Sequence, residues 1–426
     1  MFVMKQAARW GTGLVLLLAA ACASAPPAPP APVVTFEQKL GWMLSLEDRR
    51  VLADPALAPA AVPATAPRRG PAPAAPAFVA APDLAVLARD PEGRVRRRAA
   101  LAIGRVGLVE GLPALSRLLQ DAEPEVRAMA AFAAGIIASR DGVPALTAAL
   151  TDPAVSVRGR AAEALGIICT PAQGAATACD PAVAVAIADM AQPYIAAAAS
   201  LQGDAAADEA DTVAVTAEAE AWRLAAYALV RIRDWDALSR LTLADGRPVT
   251  TWWPIAYALQ RINNAAAVPA LAEIARSETA VAASFAIRGL ADHRAADYRP
   301  LFDALALDAG KDVRVRIAAV RALARLPGAE SVATLVKLLA TPKLDDNLRL
   351  ETVTAIGAAG DAASAEALLD LLADEWPLMR STALATVARL DPENFTVVLS
   401  GLQPDPDWTV RAALARLVAS LPEEAA

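Results

Sequence analysis

The clearest stretches of the sequence repeat every 31 residues, which restricts the chain to folds built from stacked copies of one small unit. The signature is an aspartate followed five and six residues later by an apolar residue and an arginine. It first occurs as Asp90, Val95 and Arg96, then as Asp121, Val126 and Arg127, and then as Asp152, Val157 and Arg158. It returns as Asp308, Val313 and Arg314, as Leu348 and Arg349, as Asp374, Met379 and Arg380, and as Asp405, Val410 and Arg411. A glycine or alanine nine residues after each apolar residue lets neighbouring helices approach closely.

Each repeat predicts two helices. Asp90 and Pro91 combine a residue suited to the N-cap with a proline suited to the first helical position. In the next copy, Val126 opens an apolar stripe at helical spacing, and residues 111–120 predict a shorter helix before it. Neither helix can bury its apolar face alone, so the units have to stack. We therefore predict an all-α, right-handed α-solenoid of about ten two-helix repeats over residues 83–426.

The signature Asp-x-x-x-x-Val-Arg with two helices in each unit resembles HEAT repeats, particularly the short repeats of the bilin-lyase type, over residues 83–421. The resemblance implies that the second helix of each unit lines the concave face. It also implies that aspartates and arginines form a structural ladder between units, with direct ligand contact by the arginines as the alternative. The expected ladder residues are Asp90, Arg96, Asp121, Arg127, Asp152, Arg158, Asp374, Arg380, Asp405 and Arg411.

Residues 1–21 have the pattern of an export signal, in which Lys5 and Arg9 precede a short apolar stretch. The run LLLAAAC resembles a bacterial lipobox, which implies that Cys22 is acylated and becomes the first residue of the mature protein. Ordinary secretion or an uncleaved anchor is the alternative. An aspartate two places after the cysteine often retains lipoproteins at the inner membrane. Ser24 stands there instead, so we expect an outer-membrane protein that faces the periplasm.

Two segments rich in proline and alanine, a tether over residues 22–35 and a linker over residues 53–82, flank one amphipathic helix predicted over residues 36–52. The apolar face of this helix is predicted to carry Phe36, Leu40, Met43 and Leu44. A helix this short is marginal alone in water, so it should dock on another surface. It is interpreted as a cap on the first repeat, with a partner-binding or membrane-surface helix as the alternative.

The repeat is irregular over residues 169–220. Cys169 and Cys179 lie close in sequence, and in an exported protein such a pair predicts a disulfide; two unpaired thiols are the alternative. A long helix is predicted over residues 181–201. The sequence QGDAAADEAD that follows predicts an exposed loop.

Aromatic residues are concentrated in two adjacent repeats, in a chain with only 4% aromatic residues. They are Trp222, Tyr227, Trp252, Trp253 and Tyr257. The two pairs at matching positions are 30 residues apart, so stacking would bring equivalent rings together. One hypothesis is an aromatic patch that binds a peptide or a sugar chain. The other is that these rings fill core space that alanines leave empty.

Neither the composition nor the motifs favour an enzyme. The formal net charge of −7 argues against nucleic acid as a partner, and the single histidine, His293, cannot build a histidine-rich metal site. The metal-dependent hydroxylases built on HEAT repeats need several His–Glu pairs, which a single histidine cannot supply, so this function is excluded. The phosphate-binding glycine motifs, HExxH and GxSxG do not occur. We therefore predict no catalytic residue, no cofactor and no metal, and interpret His293 as a residue of an inter-helix turn.

These features predict a lipid-anchored scaffold of the bacterial cell envelope that binds another protein through its solenoid surface. The N-terminal layout also resembles HEAT-repeat envelope proteins in which the array precedes a cyclophilin-type prolyl isomerase. The first alternative is therefore the non-catalytic repeat arm of an envelope folding factor. The second is an enzyme of the bilin-lyase type. The export pattern argues against it, because that chemistry belongs with cytoplasmic pigment assembly.

Overall fold

The structure is a computed structural model that describes residues 34–54, 82–172, 179–205, 214–293 and 296–420. Within these ranges the chain is almost wholly helical, apart from one two-stranded hairpin and an isolated bridge. The helices pair into ten stacked units, and the predicted all-α solenoid is confirmed. The signal peptide, Cys22 and most of the tether and the linker lie outside the described residues.

A single helix, α1 (Phe36–Arg49), precedes the units, and each unit has a shorter helix A followed by a longer helix B. The A helices are α2 (Leu84–Leu87), α4 (Leu112–Leu118), α6 (Val143–Ala149), α8 (Ala182–Ala191) with α9 (Ile195–Ala199), α11 (Trp235–Thr242), α13 (Val268–Ala275), α15 (Arg299–Leu307), α17 (Ala329–Leu339), the 3₁₀ segment Ala362–Ala373, and α20 (Pro392–Ser400). The B helices are α3 (Gly93–Val106), α5 (Pro124–Ile137), α7 (Val155–Ile168), α10 (Ala217–Ile232), α12 (Trp253–Ile262), α14 (Ala280–Asp292), α16 (Val313–Leu323), α18 (Asp346–Ala359), α19 (Pro377–Leu390) and α21 (Trp408–Ser420).

The B helices pack side by side along the array, and the A helices cover one side of that layer. Small residues allow this close approach. A Cβ atom on Gly104 would lie 2.8 Å from the Cα atom of Ala133, and one on Gly135 would lie 2.9 Å from the Cα atom of Ala164. The small residue of each early repeat is therefore required at the point where two B helices touch.

The sequence predicted that the aspartate of the repeat begins helix B, and this prediction is wrong. Helices α3 and α7 begin two residues later than expected, at Gly93 and Val155. The Asp152 carboxylate instead accepts the backbone N–H of Ala154, at 2.8 Å, and closes the turn before the helix. The reason is that an arginine of the preceding unit holds the carboxylate in that position.

That arginine connects two units at once. The Arg127 Nε and Nη2 atoms donate to the two carboxylate oxygens of Asp152, 25 residues later, at 2.8 and 2.9 Å. Its Nη1 atom donates to the backbone carbonyl of Asp121 in its own unit, at 2.8 Å. Arg96 contacts Asp121 in the same way, at 2.6 and 2.8 Å. All of these side chains are largely buried, so the ladder is a charge-assisted connection within the core.

The ladder resumes near the C-terminus. Arg349 pairs with Asp374, and the Arg380 Nε atom donates to Asp405 at 2.6 Å. Arg411 bonds to its own unit as Arg127 does: its Nη1 atom donates to the carbonyl of Asp405 at 2.7 Å.

The middle of the array departs from the ladder. Position 183, where the partner of Arg158 would stand, is a valine, and the Arg158 guanidinium lies 5.6 Å from the ring centre of Tyr194. In a later repeat the predicted register is wrong by two residues. Val313 is exposed and Val315 is buried, and the arginine that follows, Arg316, donates to the carbonyl of Ala306.

Helix α1 covers the first unit, as the cap interpretation predicted. The Lys39 Nζ atom lies 2.6 Å from Asp90, where an arginine of a preceding unit would otherwise stand. Met43 and Leu46 are fully buried, whereas Leu44, predicted on the apolar face, is half-exposed. The buried face thus runs through residues 39, 43 and 46, which lie one helical turn apart.

Residues on the two sides of the 53–82 linker meet at the first unit. The backbone N–H of Leu84 donates to the carbonyl of Leu52 at 2.9 Å, and Ala53 and Asp83 form an isolated β-bridge.

The irregular segment begins at a disulfide between Cys169 and Cys179, whose Cα atoms are 5.2 Å apart. The predicted long helix is present as α8 and α9 with one 3₁₀ turn between them. Farther on, a short hairpin of β1 (Leu243–Ala244) and β2 (Arg247–Pro248) follows α11.

Acidification should weaken the ladder. Hydrogen bonds from Arg96 hold the pKa of Asp121 below its ordinary value despite burial, so the carboxylate contributes stability above its unfolded pKa of about 3.9 and loses it as pH falls. We expect Asp121→Asn to lower the free energy of unfolding by about 1–3 kcal/mol at pH 6. The difference from the unmodified chain should shrink toward zero near pH 2.5.

Urea unfolding followed by circular dichroism at several pH values measures this difference. Asp370→Asn is the matched control, because Asp370 is exposed on an A segment and should show no comparable change with pH. A difference at Asp121 that stays constant with pH would contradict the electrostatic role of the ladder.

Candidate protein-binding surface

Four aromatic side chains form a continuous row across three neighbouring B helices. The ring centres of Tyr227 on α10 and Tyr257 on α12 are 5.0 Å apart, and those of Tyr257 and Phe285 on α14 are 5.4 Å apart. Trp253 stacks on Phe285 at 6.3 Å. Each of the four is partly exposed. We call Tyr227, Trp253, Tyr257 and Phe285 the aromatic row; the sequence identified its first three members.

Of the two hypotheses for the aromatic residues, the filling of core space holds for Trp222 and Trp252, and the patch hypothesis is wrong for both. Trp222 and Trp252 are fully buried, with ring centres 6.1 Å apart. They fill the space between α10 and α12, where the neighbouring core residues are mostly alanines. Trp222 and Trp252 are thus core residues, and Tyr227, Trp253 and Tyr257 are the members of the predicted patch that a ligand could touch.

A strap of five residues, 201–205, in which Leu201 and Gly203 are buried, positions Trp252 and Trp253. The indole N–H groups of both donate to the carbonyl of Ala205, at 2.8 and 3.2 Å. The backbone N–H of Trp253 donates to the carbonyl of Gly203 at 2.7 Å. Gly203 adopts a φ of +59°, and a Cβ atom there would lie 2.7 Å from Thr279. The strap therefore determines how Trp253 is presented at the surface.

The strap also caps α14, which the sequence analysis missed. The Asp204 carboxylate accepts the N–H groups of Ala280, Val281 and Ala282, at 2.8 to 3.1 Å. Thr279, the local N-cap residue, makes no side-chain cap bond, and the carboxylate takes over that role. The prediction that QGDAAADEAD forms an exposed loop is wrong for Gly203, which is buried, and for Asp204, which is partly buried; residues 206–211 of that run lie outside the described residues. Because Thr279 is itself a residue type that commonly caps helices, nothing in the sequence signalled a cap from Asp204.

Two arginines lie against the ends of the aromatic row. The guanidinium carbon of Arg223 is 5.5 Å from the ring centre of Tyr227, and that of Arg288 is 5.5 Å from the ring centre of Phe285. Burial raises the pKa of the Tyr227 phenol above its ordinary value, although Arg223 opposes the shift. The phenol is therefore neutral at physiological pH. Arg223 also donates to the Glu220 carboxylate, at 2.7 and 2.8 Å, so the row offers apolar faces with an ion pair at one end and Arg288 at the other.

A groove of about 440 Å³ continues the row between α14 and α16. Apolar side chains that include Val281, Phe285 and Ile317 line it. Its remaining lining includes four arginines, which are Arg288, Arg314, Arg321 and Arg325. Three carboxylates hold arginines of this set: Asp312 pairs with Arg314, Glu351 with Arg321 and Asp292 with Arg325.

The described residues include no group of three or more His, Cys, Asp or Glu side chains that could hold a metal ion. His293 is the C-cap residue of α14, at the turn where the sequence analysis placed it. One stretch, Ala182–Ala199, is long and apolar enough to cross a membrane by composition, but it packs against α10 as the A layer of its unit.

Comparison with known proteins agrees with this geometry. Residues 112–202 match HEAT repeats, and residues 95–121 and 315–341 match the PBS lyase HEAT-like repeat. The chain contains HEAT repeats. The two PBS matches begin at Val95 and Val315, and both of these valines are buried at the start of a B helix. The chain has no match among curated proteins.

Several solved structures are similar to the chain at low identity. Kap121p shares 13% identity over 78% of this chain and 44% of its own, with a TM-score of 0.45. Kap121p bound to Nup53p shares 13% identity over 79% of this chain and 39% of its own, with a TM-score of 0.46. The complex of CpcE and CpcF of phycocyanin lyase from Nostoc sp. PCC7120 shares 18% identity over 85% of this chain and 99% of its own, with a TM-score of 0.26. This chain thus spans less than half of Kap121p. These similarities add nothing beyond the repeat fold.

Buried tryptophans should matter for stability and not for contact with a ligand. We expect Trp222→Ala to lower the free energy of unfolding by about 3–5 kcal/mol, because it leaves a large cavity in the core. Trp408→Ala is the matched control, since Trp408 is 70% exposed and should change stability by less than about 0.5 kcal/mol. Urea denaturation measures both. Equal effects of the two substitutions would contradict the assignment of Trp222 to the core.

Proposed function

We propose that the chain is a non-catalytic scaffold that binds another protein through the surface of α10, α12, α14 and α16, and that it does so while anchored in the cell envelope by a lipid on Cys22. The observation that carries the binding role is the aromatic row, which lies partly exposed across three B helices. Aromatic and arginine side chains are the types most enriched among residues that dominate protein interfaces.

The row is a rigid feature of the solenoid. Its rings contact each other across adjacent helices, and the strap holds Trp253 through two hydrogen bonds, from its backbone and from its indole N–H. Rigid aromatic side chains contribute large contact area at a low cost in conformational entropy. A partner that binds here therefore meets a surface that needs little rearrangement.

The row is also large enough to act as the centre of an interface. It continues into the groove between α14 and α16, so apolar surface extends over four consecutive B helices. Arginines surround that surface, which matches the general arrangement of an apolar interface centre with a polar rim. Repeat arrays commonly use such extended surfaces for binding.

The interface is tested by affinity capture from envelope extracts, followed by binding measurements with the purified partner. We expect the double substitution Tyr257→Ala and Phe285→Ala to weaken binding by at least tenfold, because it removes the central rings of the row. Tyr298→Ala is the matched control, since Tyr298 is a partly exposed ring beside the A helix α15. Circular dichroism checks that all variants remain folded. A partner that binds the double variant and the unmodified chain equally well would reject the surface.

The lipid anchor is a separate part of the proposal and rests on the export pattern and the lipobox resemblance around Cys22. Several acyl chains would hold the protein firmly, since each buried CH₂ group contributes about 0.8 kcal/mol. We expect Cys22→Ser to move the protein from the membrane fraction to the soluble fraction of the envelope. Fractionation and metabolic labelling with a fatty acid measure this change. Unaltered membrane association of the variant would rule out the anchor without affecting the binding surface.

A further inference from the structure

We infer that the groove between α14 and α16 binds an extended segment of the partner in which acidic residues alternate with apolar ones. This inference rests on the proposed scaffold role and adds the chemistry of the bound segment. It follows from the distribution of charge over the two layers of helices, from the lining of the groove and from the spacing of the helices.

Positive charge is concentrated on one layer of an acidic protein. The whole chain has a net charge of −7, yet α10, α12, α14 and α16 together carry seven arginines and three carboxylates. Two further carboxylates, Asp312 and Glu351, pair with arginines of α16, so the arginines still exceed the carboxylates on this surface. The neighbouring A helices α11, α13 and α15 carry two arginines and three carboxylates. Of the seven arginines, Arg316 is directed to the carbonyl of Ala306. An acidic segment would therefore be attracted to the B helices and not to the A helices.

Two arginines of the groove, Arg288 and Arg321, are held in place, and Arg321 keeps donors available. The Arg321 Nε and Nη2 atoms each donate to Glu351 at 2.7 Å, which uses two of the five N–H donors of the guanidinium group. Arg288 is placed by its contact with the ring of Phe285. Pre-positioned guanidinium groups bind carboxylates with a smaller loss of side-chain entropy than mobile ones.

The apolar lining explains why the segment needs apolar residues as well. Phe285, Ile317 and Val281 lie between the arginines, and a purely acidic chain would leave them covered only by water. Side chains of an extended peptide alternate between its two sides. Apolar residues of the segment would thus enter the groove while the carboxylates between them reach the arginines at its rim.

The helix spacing sets the length of the segment. Packed helices lie about 8–10 Å apart, so the path across the three spacings from α10 to α16 is about 24–30 Å long. An extended chain covers about 3.3 Å per residue, so about seven to nine residues cross the groove and the aromatic row.

The test uses three fluorescent octapeptides with blocked ends, in which Glu, Gln or Lys alternates with Leu and Phe. Binding to the full chain is measured by fluorescence anisotropy at two salt concentrations. We expect the Glu peptide to bind at least tenfold more tightly than the Gln peptide, and the Lys peptide to bind more weakly still. Affinity for the Glu peptide should fall at higher salt.

The double substitution Arg288→Gln and Arg321→Gln should weaken binding of the Glu peptide by about tenfold. The matched control is Arg117→Gln with Arg140→Gln, which removes the same charge from exposed positions of the A layer and should change the affinity by less than twofold. Equal binding of the three peptides, or equal losses in the two double variants, would overturn the inference. Binding of a single-stranded oligonucleotide in preference to the Glu peptide would also overturn it.

The two proposals can fail separately. A purified partner that depends on Tyr257 and Phe285, together with peptides that show no preference for Glu, would reject the acidic segment and leave the scaffold role intact. A partner that ignores the aromatic row, together with absence of peptide binding, would reject both.

Discussion

The structure depends on one interaction, in which a single guanidinium group satisfies two neighbouring units at the same time. Arg127 donates to a carbonyl of its own unit and to the carboxylate of Asp152 in the next. Because that carboxylate also accepts a backbone N–H of its own turn, the bond fixes the start of one B helix against the previous one. Two-helix units that cannot fold alone thereby acquire a fixed relative position, and the B helices can present one continuous surface.

Where the ladder is interrupted, other contacts replace it. At the first unit, Lys39 of α1 supplies the cation for Asp90. In the irregular middle, where Arg158 lacks an aspartate at the expected position, a disulfide, two buried tryptophans and the strap over residues 201–205 connect the units. The aromatic row lies beside this interruption, so the most distinctive surface of the protein coincides with the part of the array that departs most from the repeat.

The sequence was sufficient to predict features that recur, because repetition makes a weak local pattern visible several times. The period, the two helices of a unit, the small residue between B helices and the Arg–Asp ladder all belong to this class. Features that occur once were not predictable in the same way. The burial of Trp222 depends on which side of α10 meets α12, and the cap on α14 comes from Asp204, 76 residues before it. Phe285 completes the aromatic row, but it follows Tyr257 by 28 residues and not by the 30 that separate Tyr227 from Tyr257, so equal spacing did not reveal it.

The central claim is that the ladder couples neighbouring units energetically, and a double-mutant cycle on Arg127 and Asp152 tests it most directly. The free energy of unfolding is measured for the unmodified chain, Arg127→Ala, Asp152→Ala and the double variant. We predict a coupling energy of about 1–3 kcal/mol, because each single substitution leaves a largely buried charge without its partner. A coupling energy indistinguishable from zero would contradict the account.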